Sequence, residues 1–236
     1  MTTLSIRSFD ENTFVAFLDI CGFRDLVSTP GRAEKCLDKF YQSVYEEVKQ
    51  SHQRTQKIDC IAVSDCAVAF SRNNPTPELQ TSNPVDVQRL KSMLIFVKNV
   101  ARKIIQNNFV IKGSIAYGRF KFENRIEIPG IDKAMFVGNA YMDAYRDVER
   151  GSPRLEIGEI RIKPRAKVEE ILQQSPRDLE PFSLVRLDRR DYYFYWMLNS
   201  IQSRNDFERE FSDRYRRRYE GMISVIRKYT EMLINH

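Results

Sequence analysis

Apolar and polar positions along this chain follow two periods, and the switches between them mark its elements. Phe14-Val-Ala-Phe-Leu-Asp-Ile20 is an apolar run carrying one carboxylate near its end, followed by a sharp turn at Gly22, and it reads as a buried strand. Between Gly31 and Gln53, Ala33, Leu37, Phe40, Tyr41, Val44 and Val48 recur at three- and four-residue spacings, with Glu34, Asp38, Glu46, Glu47 and Lys49 between them. That spacing predicts an amphipathic helix packed on a sheet. Lys57–Phe70 reads as two short strands joined by a tight turn at Ser64-Asp65, because its residues are small or β-branched on either side of that pair. A second helical stripe, Val87, Leu90, Leu94, Val97, Ala101 and Ile104, precedes a strand over Phe109–Gly118.

The second half is less regular. Phe120–Ile128 reads as an irregular hairpin, a helix starts just after Gly138, and Gly151-Ser-Pro ends it. Glu159–Ile162 is expected to be a strand, Arg165–Gln173 a short helix, and Ser183–Leu187 with Tyr192–Tyr195 a hairpin. From Tyr195 onward the pattern predicts helix, broken near Ser203-Arg-Asn-Asp206. Ser71–Asp86, rich in Pro and Asn, reads as a loop insertion. The order is α+β with a mostly antiparallel sheet and flanking helices, since the hairpins are too short for parallel crossovers. Residues 1–200 are expected to form one catalytic domain, with 201–236 a helical extension packed on it.

Composition narrows the chemistry. The chain has 236 residues, 42% of them hydrophobic, enough for one sizeable core. Four cysteines (Cys21, Cys36, Cys60, Cys66) without a Cys-x-x-Cys pair, and only two histidines (His52, His236), argue against zinc, haem and iron–sulfur sites. The apolar runs are too short to span a bilayer and the N-terminus lacks a signal-peptide layout, so a soluble cytoplasmic protein is expected, with no membrane partner. The net charge of +6 suits a polyanionic ligand without naming one. Arg214-Tyr-Arg-Arg-Arg-Tyr219 could face nucleic acid, but such runs are more often a solvated helix face, and no nucleic-acid partner is expected.

Asp19 is the residue that needs explaining. A carboxylate at the end of a buried strand is costly unless a cation meets it, which makes Asp19 a metal-ligand candidate; the competing reading is a turn or helix-cap carboxylate. Asp65, at the hairpin tip, would stand beside it in a ferredoxin-like sheet, and two such carboxylates repel unless a divalent cation lies between them. Phe17-Leu-Asp-Ile-Cys-Gly-Phe23 resembles the first metal motif of the class III nucleotidyl cyclases, and Val63-Ser-Asp65 resembles the second. Ile111–Gly118 and Gly138–Arg146 are similar to the later blocks, so the resemblance covers roughly residues 13 to 165. It implies the ferredoxin-like class III adenylate/guanylate cyclase fold and two divalent cations, Mg²⁺ or Mn²⁺, held by Asp19, Asp65 and the carbonyl of Ile20. The amides of Cys21, Gly22 and Phe23 would face the triphosphate. It also implies a homodimer with composite sites, Arg146 acting on the transition state from the partner's helix.

The departures from the family pattern carry the substrate reading. Adenylate and guanylate cyclases read the purine at positions that here hold Ile61 and Met135, neither of which can hydrogen-bond a base edge. Both could equally be core residues, with Tyr141 or Asn139 reading the base. The family's transition-state asparagine is replaced by Met142, while its arginine is kept as Arg146. Arg146 could instead be an exposed arginine paired with Asp143 or Glu149. The block from Gly138 to Glu149, with the Arg161-Ile-Lys-Pro-Arg165 stretch after it, is similar to the bacterial Pycsar-type pyrimidine cyclases of anti-phage defence. That likeness implies a uridylate cyclase making cyclic UMP from UTP, its product read by a separate cyclic-nucleotide effector. Cyclic CMP synthesis, or a degenerate cyclase-fold nucleotide-binding module, are the alternatives.

Overall fold

The computed structural model describes residues 6–54, 56–73, 85–128, 131–176, 180–188 and 190–198. The expected extension over 201–236, the Arg214–Tyr219 run and most of the loop insertion lie outside the described residues.

The elements run β1 (Phe9–Ile20), α1 (Phe23–Val27), α2 (Arg32–Ser51), β2 (Gln56–Val63), β3 (Cys66–Asn73), α3 (Val85–Gln106), β4 (Ile111–Ile128), β5 (Ile131–Val137), α4 (Asn139–Arg150), β6 (Ile160–Ile162), α5 (Ala166–Gln174), β7 (Val185–Asp188) and β8 (Asp191–Phe194). The strands form one sheet in the order β2-β3-β1-β4-β6-β8-β7, with β5 pairing the far half of β4. Every pair is antiparallel except β4 with β6.

The apolar run of β1 is explained by its place at the centre of this sheet, buried on both faces. Its even residues, Phe14, Ala16, Leu18 and Ile20, join one cluster with Cys36, Phe40 and Val44 of α2 and the inner stripe of α3. Its odd residues, Val15 and Phe17, join a second cluster with Val68, Phe70, Phe120 and Phe122, covered by Ala140, Ala144 and Val148 of α4. Those small α4 residues let the helix lie close to the strands. Gly138 makes the entry possible: its φ of 150° disfavours any side chain, and a Cβ there would run into the Arg119 carbonyl.

Three expectations are corrected. Phe120–Ile128 is not a hairpin of its own but the continuation of β4, with β5 as its partner. Phe120 and Phe122 alternate into the second cluster, and the irregularity read from the sequence is a register shift between Arg125 and Ile128. A short helix, α1, follows Gly22 where only a turn was expected. The helix expected from Tyr195 does not start there: Tyr195–Leu198 is a buried turn. The carbonyls of Trp196 and Met197 accept from the Arg102 guanidinium at 3.2 and 3.3 Å instead of closing helical turns.

Candidate active site

Strand register places the first two candidates. In the β1–β3 ladder Asp19 lies opposite Cys66, the residue after Asp65, and the Ile20 amide donates to the Asp65 carbonyl at 3.0 Å. The hairpin tip that carries Asp65 is a two-residue turn in which Ser64 takes a positive φ of 53°. Its shape is held from outside by the Tyr41 hydroxyl of α2, which donates to the Ser64 carbonyl at 2.8 Å. Asp19, Asp65 and Cys66 each offer a ligand atom, and these atoms all lie within 4.8 Å of one another.

The electrostatics around Asp19 are opposed. Burial raises its carboxyl above the usual carboxylate range, while Lys112, directly across the β1–β4 ladder with Nζ 3.4 Å from Oδ2, pulls it back down. Cys66 leans its thiol on both carboxylates, at 3.5 Å from Asp19 Oδ1 and 3.9 Å from Asp65 Oδ1, and burial followed by those two charges pushes it up. Two carboxylates, half-buried and open on one side, form an oxygen donor set that fits Mg²⁺ or Mn²⁺.

The turn after Ile20 divides its three amides. The Cys21 N–H is already donated to the Val110 carbonyl at 2.8 Å, so the segment that could face an anion narrows to Gly22 and Phe23. Gly22 supplies the left-handed φ of 70° that turns β1 into α1. The Cys21 thiol, partly buried against the α2–α3 cluster, is pushed up to about 12, mainly by desolvation.

Ile61 and Met135 are both half-buried, but they are not brought together. Ile61 packs on the second cluster with Cys66, Tyr141 and Phe136. Met135 alternates with Phe136 and lies across β4 from Glu123, so it faces the other side of the sheet. Tyr141 sits in an aromatic run on the Ile61 face, 4.8 Å from Phe136, 5.9 Å from Tyr145 and 6.4 Å from Phe17 between ring centroids.

Arg146 is exposed on α4, where Tyr145, Arg146, Glu149 and Arg150 line a surface hollow of about 560 Å³. Of the two partners considered for it, Asp143 is taken by Arg165. The helix is anchored through Asp147, which the sequence did not single out, by the Arg161–Arg165 stretch, which it marked only as part of a resemblance. Asp147 receives Arg161 at 2.9 Å and Lys163 at 3.0 Å, and Arg161, fully buried, also donates to the Pro153 carbonyl and lies over the Tyr193 ring. Thus the Arg161–Arg165 stretch grips α4 at both Asp143 and Asp147. Lys112 and Cys66 were missed too, though once β1 is paired with β3 and β4 the register alone puts both opposite Asp19.

No family model matches the chain, and no curated protein matches it. Solved structures do. The adenylyl cyclase CyaB from P. aeruginosa aligns over 83% of this chain and 97% of its own, with TM-score 0.52 and 18% identity. The monomeric guanylyl cyclase domain of the RhoGC fusion protein from Blastocladiella emersonii aligns over 80% and 98%, with TM-score 0.53 and 15% identity. The guanylate cyclase domain of RhGC from Catenaria anguillulae, in complex with GTP, aligns over 79% and 97%, with TM-score 0.52 and 15% identity.

The chain has the class III cyclase fold. At these identities the likeness establishes architecture and not activity. Among the described residues no helix is long and apolar enough to cross a membrane.

Proposed function

We propose that this protein is a nucleotidyl cyclase that converts UTP to 3′,5′-cyclic UMP and pyrophosphate, working as a homodimer in the cytoplasm. The observation that carries the reading is the pairing of Asp19 with the Asp65 hairpin, side by side where β1 ends and β2 turns into β3, in a cyclase fold. Asp19, Asp65 and the Ile20 carbonyl would hold two divalent cations, Mg²⁺ or Mn²⁺. When bound, these ions lower the pKa of the ribose 3′-hydroxyl and steady the leaving pyrophosphate.

The chain's own residues supply position and charge. The amides of Gly22 and Phe23, at the start of α1, face the triphosphate. Arg146, exposed on α4 and free of Asp143, reaches the α-phosphate of the partner's site and offsets charge that builds there. Both positions where purine cyclases place polar readers are apolar, and Ile61, on the same face of the sheet as Tyr141, suits a smaller pyrimidine ring. The biological role that fits is second-messenger synthesis in bacterial anti-phage defence, the product being read by a separate effector.

Incubating the purified protein with each of the four ribonucleoside triphosphates and Mn²⁺, with products identified by mass spectrometry, tests this directly. Cyclic UMP from UTP alone is the expected result. Cyclic CMP would move the substrate to CTP, cyclic AMP or GMP would overturn the pyrimidine reading, and no cyclic product from any of them would overturn the enzyme.

A further inference from the structure

The contacts that seat α4 on the sheet are uneven around its axis. Ala140, Ala144 and Val148 face the strands, Tyr141 and Tyr145 lie on one flank of that stripe, and Asp143 and Asp147 lie on the other. Small side chains let the helix come close but interlock little, so they fix its distance from the sheet better than its roll. The tyrosine flank makes ring contacts and leaves Tyr145 37% exposed. The other flank is charged and shut away from water: Arg161 is fully buried, Asp147 is buried, and the two meet at 2.9 Å. The guanidinium also donates to the Pro153 carbonyl at 2.8 Å and lies 5.3 Å over the Tyr193 ring. It fits because residue 151 is glycine, where a Cβ would run into the Asp147 carbonyl and crowd Arg161 Nη1. Lys163 links Asp147, at 3.0 Å, to Asp191 at the start of β8, at 3.2 Å.

Stability is a poor reason for such a pair. Desolvating two charges costs about as much as their attraction returns, and apolar replacements of a buried pair are often no less stable. Here the compensation is incomplete: Asp147 Oδ2 and Arg161 Nε have no hydrogen-bond partner among the described residues, and Nε comes only within 4.0 Å of Asp191. What a directional pair does supply is a fixed angle. We propose that Arg161 is a positioning residue: through Asp147 it fixes the roll of α4, and so aims Arg146, the next residue around the helix, at the reacting phosphate. This rests on reading Arg146 as the group that offsets charge there. The magnitudes are sufficient. An α-helix with its side chains is about 10–12 Å across, so a roll of about 10° carries an exposed tip about 1 Å. A misplacement of about 1 Å can slow a reaction about a hundredfold.

The test uses the full-length protein carrying Asp147→Leu together with Arg161→Met, which removes both charges and leaves neither partner alone. The melting temperature should stay within about 3 °C of native or rise. Hydrogen exchange should become at least about tenfold faster in the amides of Asn139–Arg150 and stay unchanged in α2 and α3. The expected kcat is lower by about thirtyfold to a hundredfold, with KM within about threefold of native. A double-mutant cycle decides between aiming and mere support. Added to Arg146→Ala, the paired change should lower kcat no more than about twofold further, because an arginine that has been removed cannot be misaimed. A purely supporting role would multiply the two losses. Asp147→Asn, which keeps the shape and removes the charge, goes through the same measurements in case the apolar pair does not fold, with kcat about tenfold lower expected. Unchanged kcat, unchanged α4 exchange or multiplied losses overturn the proposal, as does failure of both variants to fold. No cyclic product from the native protein overturns the cyclase reading and this role together, whereas native turnover with any of those results overturns this role alone.

Discussion

The two faces of the sheet are built to different ends. The face under α2 and α3 is lined by Phe14, Ala16, Leu18, Ile20, Phe40 and the α3 stripe, nearly all of them buried and apolar. The face under α4 begins the same way, with Val15, Phe17 and Phe70, but one helix covers it only in part, and beyond that cover stand Asp19, Asp65, Cys66 and Lys112. One strand serves both: along β1 the residues that alternate toward α2 hold the fold, and those that alternate the other way end in the carboxylate. On the proposed function, stability and chemistry are separated by a period of two.

That separation is open to a double test with the largest effects expected of the molecule. Asp65→Asn keeps the size of the side chain and should cut cyclase turnover at least about a thousandfold while the melting temperature, measured in chelator, barely moves. Phe40→Ala, on the other face, removes a fully buried ring from the α2 contact and should cost about 3–5 kcal/mol of stability by denaturant unfolding. Below its unfolding midpoint the Phe40 variant should turn over substrate near the native rate. If Asp65→Asn unfolds the protein, or Phe40→Ala lowers turnover as much as stability, the two faces are not separable.

The next effect is smaller and tests whether the α4 face is completed by a second copy. Arg146 is exposed, so Arg146→Ala should leave stability alone and lower kcat by about a hundredfold. If Arg146 acts in the partner's site, an equal mixture of Arg146→Ala and Asp65→Asn proteins regains activity: half the dimers are mixed, and each mixed dimer has one intact site of two. Turnover of about one quarter of native is then expected after subunit exchange, against about one hundredth in Arg146→Ala alone and about one thousandth or less in Asp65→Asn alone. Mixtures no better than the variants alone would place Arg146 in its own chain's site or outside the chemistry.

Much of this arrangement was legible in the sequence, for reasons that differ between regions. The α2 and α3 stripes and the β2–β3 hairpin were readable because their periods are clean and their partners are close along the chain. Asp19 was readable because a carboxylate in an apolar strand contradicts its surroundings. Lys112 and Cys66 were not, since a neighbour across a strand is invisible until the register is known. The Asp147–Arg161 pair escaped for a related reason: in sequence both look like surface charges, and only the packing of α4 on β4 and β1, with β6 alongside β4, buries them. Met135 was read together with Ile61 from its distance to Gly138, but the pleat of β5 turns it to the opposite face of the sheet and puts Phe136 on the Ile61 face.

The smallest effect expected concerns the cost of keeping Asp19 on the working face. Its carboxyl is raised in the folded protein mainly by burial, so between the ordinary carboxylate value and the raised one the folded chain holds the proton that the unfolded chain has lost. Stability should therefore fall as pH rises through that window. Asp19→Asn removes the titration, and in chelator its melting temperature should exceed that of the native protein at pH 7, the gap closing as pH falls to the ordinary carboxylate value. Lys112 loses its partner in the variant, but it is 26% exposed and can turn to water, so the lost pair offsets only part of the gain. Adding Mn²⁺ should reverse the order, because an ion bound by the folded native site stabilises it by mass action and gains nothing from an asparagine. A variant less stable than the native protein in chelator, or equally stabilised by Mn²⁺, would mean that Asp19 is held by its neighbours and not by a metal, and the working face would then be a second structural one.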